Sequence, residues 1–144
     1  MSELKGKTAL VTGAAKGIGK AAAIKLAEMG ANIAVNYNLS QKEADGTVNH
    51  LKDFGVESIS YQADVGNLGQ VTKMVDDVTK QIGQIDILVN NAGIIDDGLL
   101  LRMSDEAWSR VINTNLNGTF YCSRAVLRTM VRSRWGRIIN IGSV

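Results

Sequence analysis

The chain has 144 residues, 45% of them hydrophobic and 21% charged, the make-up of one soluble globular domain with a sizeable core. Its net charge of +2 is too small to imply a nucleic-acid partner, and one cysteine (Cys122) with one histidine (His50) makes neither an internal disulfide nor an ordinary zinc site. Met1–Lys5 lacks the apolar core of a secretion signal and no run is long enough to span a bilayer, so a cytoplasmic location and no membrane contact are expected.

Residues 8–11 are apolar and β-favouring, and lead into Thr12-Gly13-Ala14-Ala15-Lys16-Gly17-Ile18-Gly19, from which a helix runs over 18–29. Strand, glycine turn and helix are the opening of a nucleotide-binding βαβ unit. Gly13 lets the chain turn sharply, Gly17 lets the backbone approach a pyrophosphate, and Gly19 lets the helix sit close to the sheet. Free N–H groups at the helix start, with the macrodipole behind them, favour bound phosphate. Alone the pattern is weakly specific, because glycine-rich turns are common in plain α/β folds.

Gly30 ends this helix, and a second strand follows at 32–36. Ser40-Gln41-Lys42-Glu43 reads as a capping box opening a helix that turns Ala44, Val48, Leu51 and Phe54 inward and stops at Gly55. The third strand, 58–63, reaches Asp64-Val65. A third helix runs from near Asn67 to Gly83, with Val71, Met74, Val75, Val78 and Ile82 as its buried stripe. The strand at 85–89 is the most continuously apolar and reads as central; it runs into Asn90-Asn91-Ala92-Gly93. Successive βα units without sequence repeat indicate a doubly wound parallel sheet with right-handed crossovers. Ser104 caps a further helix, with Asp105 and Glu106 in its first turn. A helix over 115–133 carries Leu116, Phe120, Ala125 (or Cys122), Val126 and Met130 as apolar positions, with Arg124, Arg128 and Arg132 four apart. A fifth strand spans 137–141. Trp108 and Trp135 read as packing residues, Cys122 as a small core residue, and His50 as exposed and without a role.

With these stretches placed, the chain resembles the N-terminal part of the short-chain dehydrogenase/reductase family, and within it is most similar to bacterial 3-oxoacyl-[acyl-carrier-protein] reductases. The residues that carry the resemblance are 12–19 (the family's TGxxxGxG), Asp64-Val65, Asp86-Ile87-Leu88-Val89-Asn90-Asn91-Ala92-Gly93, Asn115 in Thr114-Asn115-Leu116, and 137–144. It covers essentially the whole chain and implies a single Rossmann-type α/β domain of about five strands with helices on both faces. A flavodoxin-like arrangement has the same strand count and stays open. The resemblance implies that Gly13, Ala14, Ala15, Lys16, Gly17, Ile18 and Gly19 cradle a pyrophosphate. It implies that Asp64 bonds the adenine amino group, that Val65 packs on the ring, and that Asn91, Ala92 and Gly93 line the adenosine ribose. Asn90 supports the sheet. Asn115 matches the family's asparagine that holds a water for proton relay, and Ser143 its serine that bonds the substrate carbonyl. Where NAD-specific members carry an acid, this chain reads Asn36-Tyr37-Asn38, with Asn38 at the ribose end. Lys16 can meet a 2′-phosphate as a point charge, so NADP(H) is favoured over NAD(H).

The family's Tyr-x-x-x-Lys motif does not occur in these 144 residues: Tyr37, Tyr61 and Tyr121 have no lysine four residues on. Ser143 and Asn115 are then two members of an incomplete catalytic set, and groups that act as a unit lose most of their effect when one is removed. The expectation is the NADP(H)-binding part of a reductase of fatty acid biosynthesis that passes hydride from NADPH to a ketone, inactive as this truncated chain. The alternatives are a non-catalytic nucleotide-binding or dimerisation module, and a folded remnant. A homodimer is expected, through an open fifth strand or the last two helices. Arg128, Arg132, Arg134 and Arg137 could meet an acyl carrier protein, or form a solvated basic helix end favoured by the dipole.

Overall fold

Strand β1 (Thr8–Val11) lies at the centre of a five-stranded parallel sheet in the computed structural model of the chain, which describes residues 2–144. It pairs with β2 (Asn32–Tyr37) on one side and β4 (Ile85–Asn90) on the other, and β3 (Ser58–Gln62) and β5 (Arg137–Asn140) form the edges. The connections carry α1 (Gly17–Glu28), α2 (Gln41–Lys52), α3 (Leu68–Ile82), α4 (Asp105–Ile112) and α5 (Gly118–Ser133). A 3₁₀ turn at Leu100–Arg102 precedes α4, and a π-helical segment, Asn113–Asn117, joins α4 to α5. The order β3-β2-β1-β4-β5 is the Rossmann-type one, and excludes the flavodoxin-like order 2-1-3-4-5.

Every residue of β1 is buried, because successive side chains enter opposite layers. Ala9 and Val11 pack in the layer of α1 and α2, and Leu10 in the layer of α3 and α5. The buried face of α1 is Gly19, Ala23 and Ala27, small residues that bring the helix close to the sheet. On α3 the expected stripe forms from Val71, Met74 and Val78, with Val75 and Ile82 at its margin.

On α5 the buried line is Gly118, Cys122, Val126 and Met130, each four residues on. Leu116 and Phe120 are not core, at 63% and 53% exposure. Phe120 lies two residues, and so about 200° of helix, from Cys122. Leu116 sits in the π segment, whose wider turn breaks the α-helical phase. Arg124 stacks over the outward Phe120 ring at 4.5 Å. Trp108 is also exposed rather than packed, whereas Trp135 is half-buried with Lys7 Nζ 4.1 Å and the Arg137 guanidinium 4.8 Å from its ring. Phe54 follows the end of α2 and stacks on His50 instead of entering the core.

Helix starts differ in how their N–H groups are met. Asn67 Oδ1 accepts from Gln70 N at 3.1 Å and Ser104 Oγ from Ala107 N at 3.1 Å, so α3 and α4 are both capped, α4 as expected. The capping box at Ser40 does not form: its side chain makes no cap bond, and its backbone (ψ 59°) is not in the extended conformation an N-cap needs. The edge strand β3 is clamped to α3 where Tyr61 Oη donates to Asp77 Oδ2 at 2.5 Å and Lys73 Nζ meets the same oxygen at 2.6 Å.

Candidate functional site

Parallel strands put all their C-terminal ends on one edge of the sheet, where open α/β sheets bind ligands. There the glycine turn after β1, the exits of β2 and β3, the end of β4 and the end of β5 converge.

The turn is bolted to β4 by two side chains. Thr12 Oγ1 accepts from Asn91 N at 3.0 Å and Ala92 N at 2.9 Å, and donates to Val89 O at 3.4 Å. In return Asn91 Nδ2 donates to Thr12 O at 3.2 Å and Gly13 O at 3.0 Å. Asn91 therefore has its amide N–H groups committed to the turn rather than free for a ribose. The same contact explains Gly19: a Cβ there would stand 2.5 Å from Asn91 Nδ2 and 2.5 Å from Gly13 O.

The motif residues divide by what their N–H groups do. Gly13 takes φ +60° and donates its N–H to Asn36 Oδ1 at 3.1 Å, and Ala14 donates to Asn36 O at 2.9 Å. Ala14 and Ala15 are buried, and Ala15 O accepts from Thr47 Oγ1 at 2.9 Å. These three residues shape the turn. Lys16, Gly17 and Ile18 are exposed, no side chain caps α1, and Lys16 makes no ion pair among the described residues. Gly17 takes φ +63° with nothing within 4 Å of where its Cβ would be. An open helix start, an unpaired lysine and a cradle that a side chain would fill suit a phosphate.

At the β3 exit, Asp64 is oriented by Gly66 N donating to its Oδ1 (2.9 Å) and by its own N–H donating to Gln70 Oε1 (2.8 Å). Val65 is buried against Gly118 of α5, so its side chain serves the core and little of it faces a ring. At the β2 exit, Asn36 is buried, Tyr37 is half-buried and only Asn38 reaches solvent, its O and Oδ1 both accepting from Gln62 Nε2 at 3.2 Å.

Asn115 lies in the π segment. Its Oδ1 accepts from Ile94 N at 2.8 Å and its Nδ2 donates to Ile94 O at 3.0 Å, so the side chain holds the chain just beyond Gly93. Beside it is a cavity of about 270 Å³ lined by Ile94, Ile95, Met103, Trp108 and Val111, with Asp96 paired to Arg110 nearby. Asn90 Nδ2 donates to Asn140 Oδ1 at 2.9 Å and Ser123 Oγ at 3.1 Å, and Asn90 O accepts from Ile141 N at 3.0 Å. Asn90 thus supports the sheet, as expected, and fixes the strand that carries the exposed Ser143 to the same edge. Cys122 is no nucleophile: it is fully buried, and burial pushes its thiol up to about 12.

The short chain dehydrogenase family model matches residues 7–144. The chain belongs to the short-chain dehydrogenase/reductase family. It is 49% identical over 138 residues to 3-oxoacyl-[acyl-carrier-protein] reductase FabG of Staphylococcus epidermidis, covering 96% of this chain and 57% of that protein. Against 3-oxoacyl-[acyl-carrier-protein] reductase of Synechocystis it is 46% identical over all 144 residues, which cover 58% of that protein. A solved structure described as a short-chain alcohol dehydrogenase from Sinorhizobium meliloti matches with TM-score 0.93 and 33% identity, covering 98% of this chain and 56% of that one. The chain spans a little over half the length of the relatives it matches. In this short-chain dehydrogenase/reductase the residues that sequence reasoning missed are Asn36 and Thr47, which hold the turn from outside the motif. Asn36 was signalled only by its polarity at the end of an apolar strand, and Thr47, within the mostly polar α2, by nothing in the sequence.

Proposed function

We propose that these residues are the dinucleotide-binding part of a reductase of the 3-oxoacyl-[acyl-carrier-protein] reductase kind, and that the dinucleotide is NADP(H). The observation that carries the proposal is the glycine turn, bolted by Thr12 and Asn91 yet open at Gly17 over an uncapped helix start. Lys16, Gly17, Ile18 and Gly19 would hold the pyrophosphate, Asp64 the adenine, and Ala92 and Gly93 the adjoining ribose. When bound, the cofactor supplies a hydride for a ketone carbon. A 2′-phosphate is favoured because Lys16 is unpaired and neither Asn36, Tyr37 nor Asn38 presents a carboxylate to repel it.

Ser143, exposed at the same edge, would donate to the substrate carbonyl oxygen; Asn115 would position the backbone beside it. No Tyr-x-x-x-Lys lies within the 144 residues, so by themselves they bind without turning over. A homodimer in the cytoplasm is part of the reading, and an acidic carrier protein would meet Arg128, Arg132, Arg134 and Arg137, all exposed. Titration of the purified chain with NADPH and with NADH tests it. Saturable NADPH binding, weaker for NADH and lost in Gly17→Asp, is expected, with no ketone reduction. Absence of binding to both overturns the proposal.

A further inference from the structure

We propose that Asn36 is a positioning residue for the dinucleotide site: its buried carboxamide ties the glycine turn to the loop after β3, so that the phosphate and adenine ends are held as one unit. The inference rests on the dinucleotide reading above.

Asn36 is 1% exposed, at the end of a run, Ile33-Ala34-Val35, that is wholly buried. An amide in such a place is costly unless its groups are bonded. Here they are. Oδ1 accepts the Gly13 N–H at 3.1 Å. Nδ2, with two hydrogens, faces three carbonyls: Ala63 O at 3.1 Å, and Tyr37 O and Tyr61 O each at 3.4 Å. The main chain repeats the link, since Asn36 O accepts from Ala14 N and Tyr37 O from Ala63 N, both at 2.9 Å.

One side chain thus reaches Gly13 on one side and Ala63, next to Asp64, on the other. Two consequences follow for a bound dinucleotide. The Gly13 N–H is committed to Asn36 and so is turned away from the phosphate. The planar carboxamide, together with those main-chain bonds, sets the distance between that turn and the Asp64 carboxylate. Leucine, of similar size, would leave the Gly13 N–H and Ala63 O without partners. Aspartate keeps the shape and the acceptor, but as a carboxylate it puts its second oxygen against three carbonyls; protonated, it donates as the amide does.

The test uses the 144-residue chain and its variants Asn36→Leu and Asn36→Asp. Ser58→Ala is the control, because Ser58 makes a buried bond to Val48 O (3.2 Å) away from the site. NADP⁺ is titrated at a temperature where circular dichroism shows each variant folded. Asn36→Leu is expected to bind about ten-fold or more weakly, and Ser58→Ala as the unaltered chain does. For Asn36→Asp, the ratio of its dissociation constant to that of the unaltered chain should approach one at about pH 5 and rise about ten-fold by about pH 8. A role confined to stability would lower the melting temperature and leave these ratios flat, which overturns the proposal. Amide exchange without cofactor is the second arm. Asn36→Leu should quicken exchange at Gly13 and Ala14 and around Asp64–Gly66 together, and a change on one side only overturns the coupling. If the unaltered chain binds neither NADP⁺ nor NAD⁺, the dinucleotide reading fails, and amide exchange alone decides whether Asn36 couples the two segments.

Discussion

A methyl group on Gly19 would stand 2.5 Å from Asn91 Nδ2, whereas one on Gly17 would meet nothing within 4 Å. The two glycines therefore fail differently when substituted. Gly19→Ala must displace the amide that bolts the turn to β4, an overpacking cost of about 1–3 kcal/mol, and should lose stability in urea together with NADPH binding. Gly17→Ala meets only left-handed backbone strain, about 1–2 kcal/mol, and its methyl group occupies the cradle. Binding should fall much further than stability. Equal losses of binding and stability in both variants would contradict a bare Gly17 needed for the ligand and a bare Gly19 needed for packing.

Among the elements, the helix starts offer a matched pair. Ser104→Ala removes a formed cap from α4 and should cost about 1 kcal/mol, while Ser40→Ala removes nothing and should be near neutral, as read from urea midpoints. The clamp of β3 on α3 predicts a pH dependence. Burial first, then donation to Asp77, raises Tyr61 above its ordinary 10.0, and Lys73 is raised above 10.5, chiefly by its bond to Asp77. Both contributions are fully present below these ordinary values and are lost as pH rises through the raised ones. Asp77 is lowered from 3.8, chiefly by Lys73, so its contribution is present above that value and lost as pH falls through the lowered one. Stability should be flat through neutrality and fall at both extremes. In Asp77→Asn the alkaline fall should be smaller and complete at lower pH, with Tyr61 ionising at lower pH by ultraviolet difference absorbance.

For the whole molecule, β5 matters most. Its four residues are all exposed, although strands of parallel sheets are ordinarily covered on both faces. Ile138 shares a groove with Leu127 and Val131 of α5, and Ile139 and Ile141 alternate onto the other face, so exposed apolar side chains flank an unpaired strand edge. A second copy covering it gives the proposed homodimer. Light scattering at micromolar concentration should return twice 15.5 kDa, and Ile139→Asp should halve that mass with circular dichroism unchanged. A monomer in the unaltered chain would remove the proposal.

Element order, helix and strand type and the place of the glycine turn were determined by the sequence itself. Hydrophobic period and glycine punctuation are local properties, readable within a few residues of Gly13, Gly30, Gly55 and Gly83, each of which takes positive φ. Local pattern could not choose between two sheets of five strands; that required β1 to pair with both β2 and β4. Nor could it tell that Phe120 points outward past a π segment, or that Ser40 caps nothing. The site divides in the same way. Its glycines and Asp64 were legible as a motif, but what Asn36 and Asn91 do was decided only by folding. Their amides bond to the glycine turn across 23 and 78 residues of sequence, and a side-chain amide has no period that announces its partner.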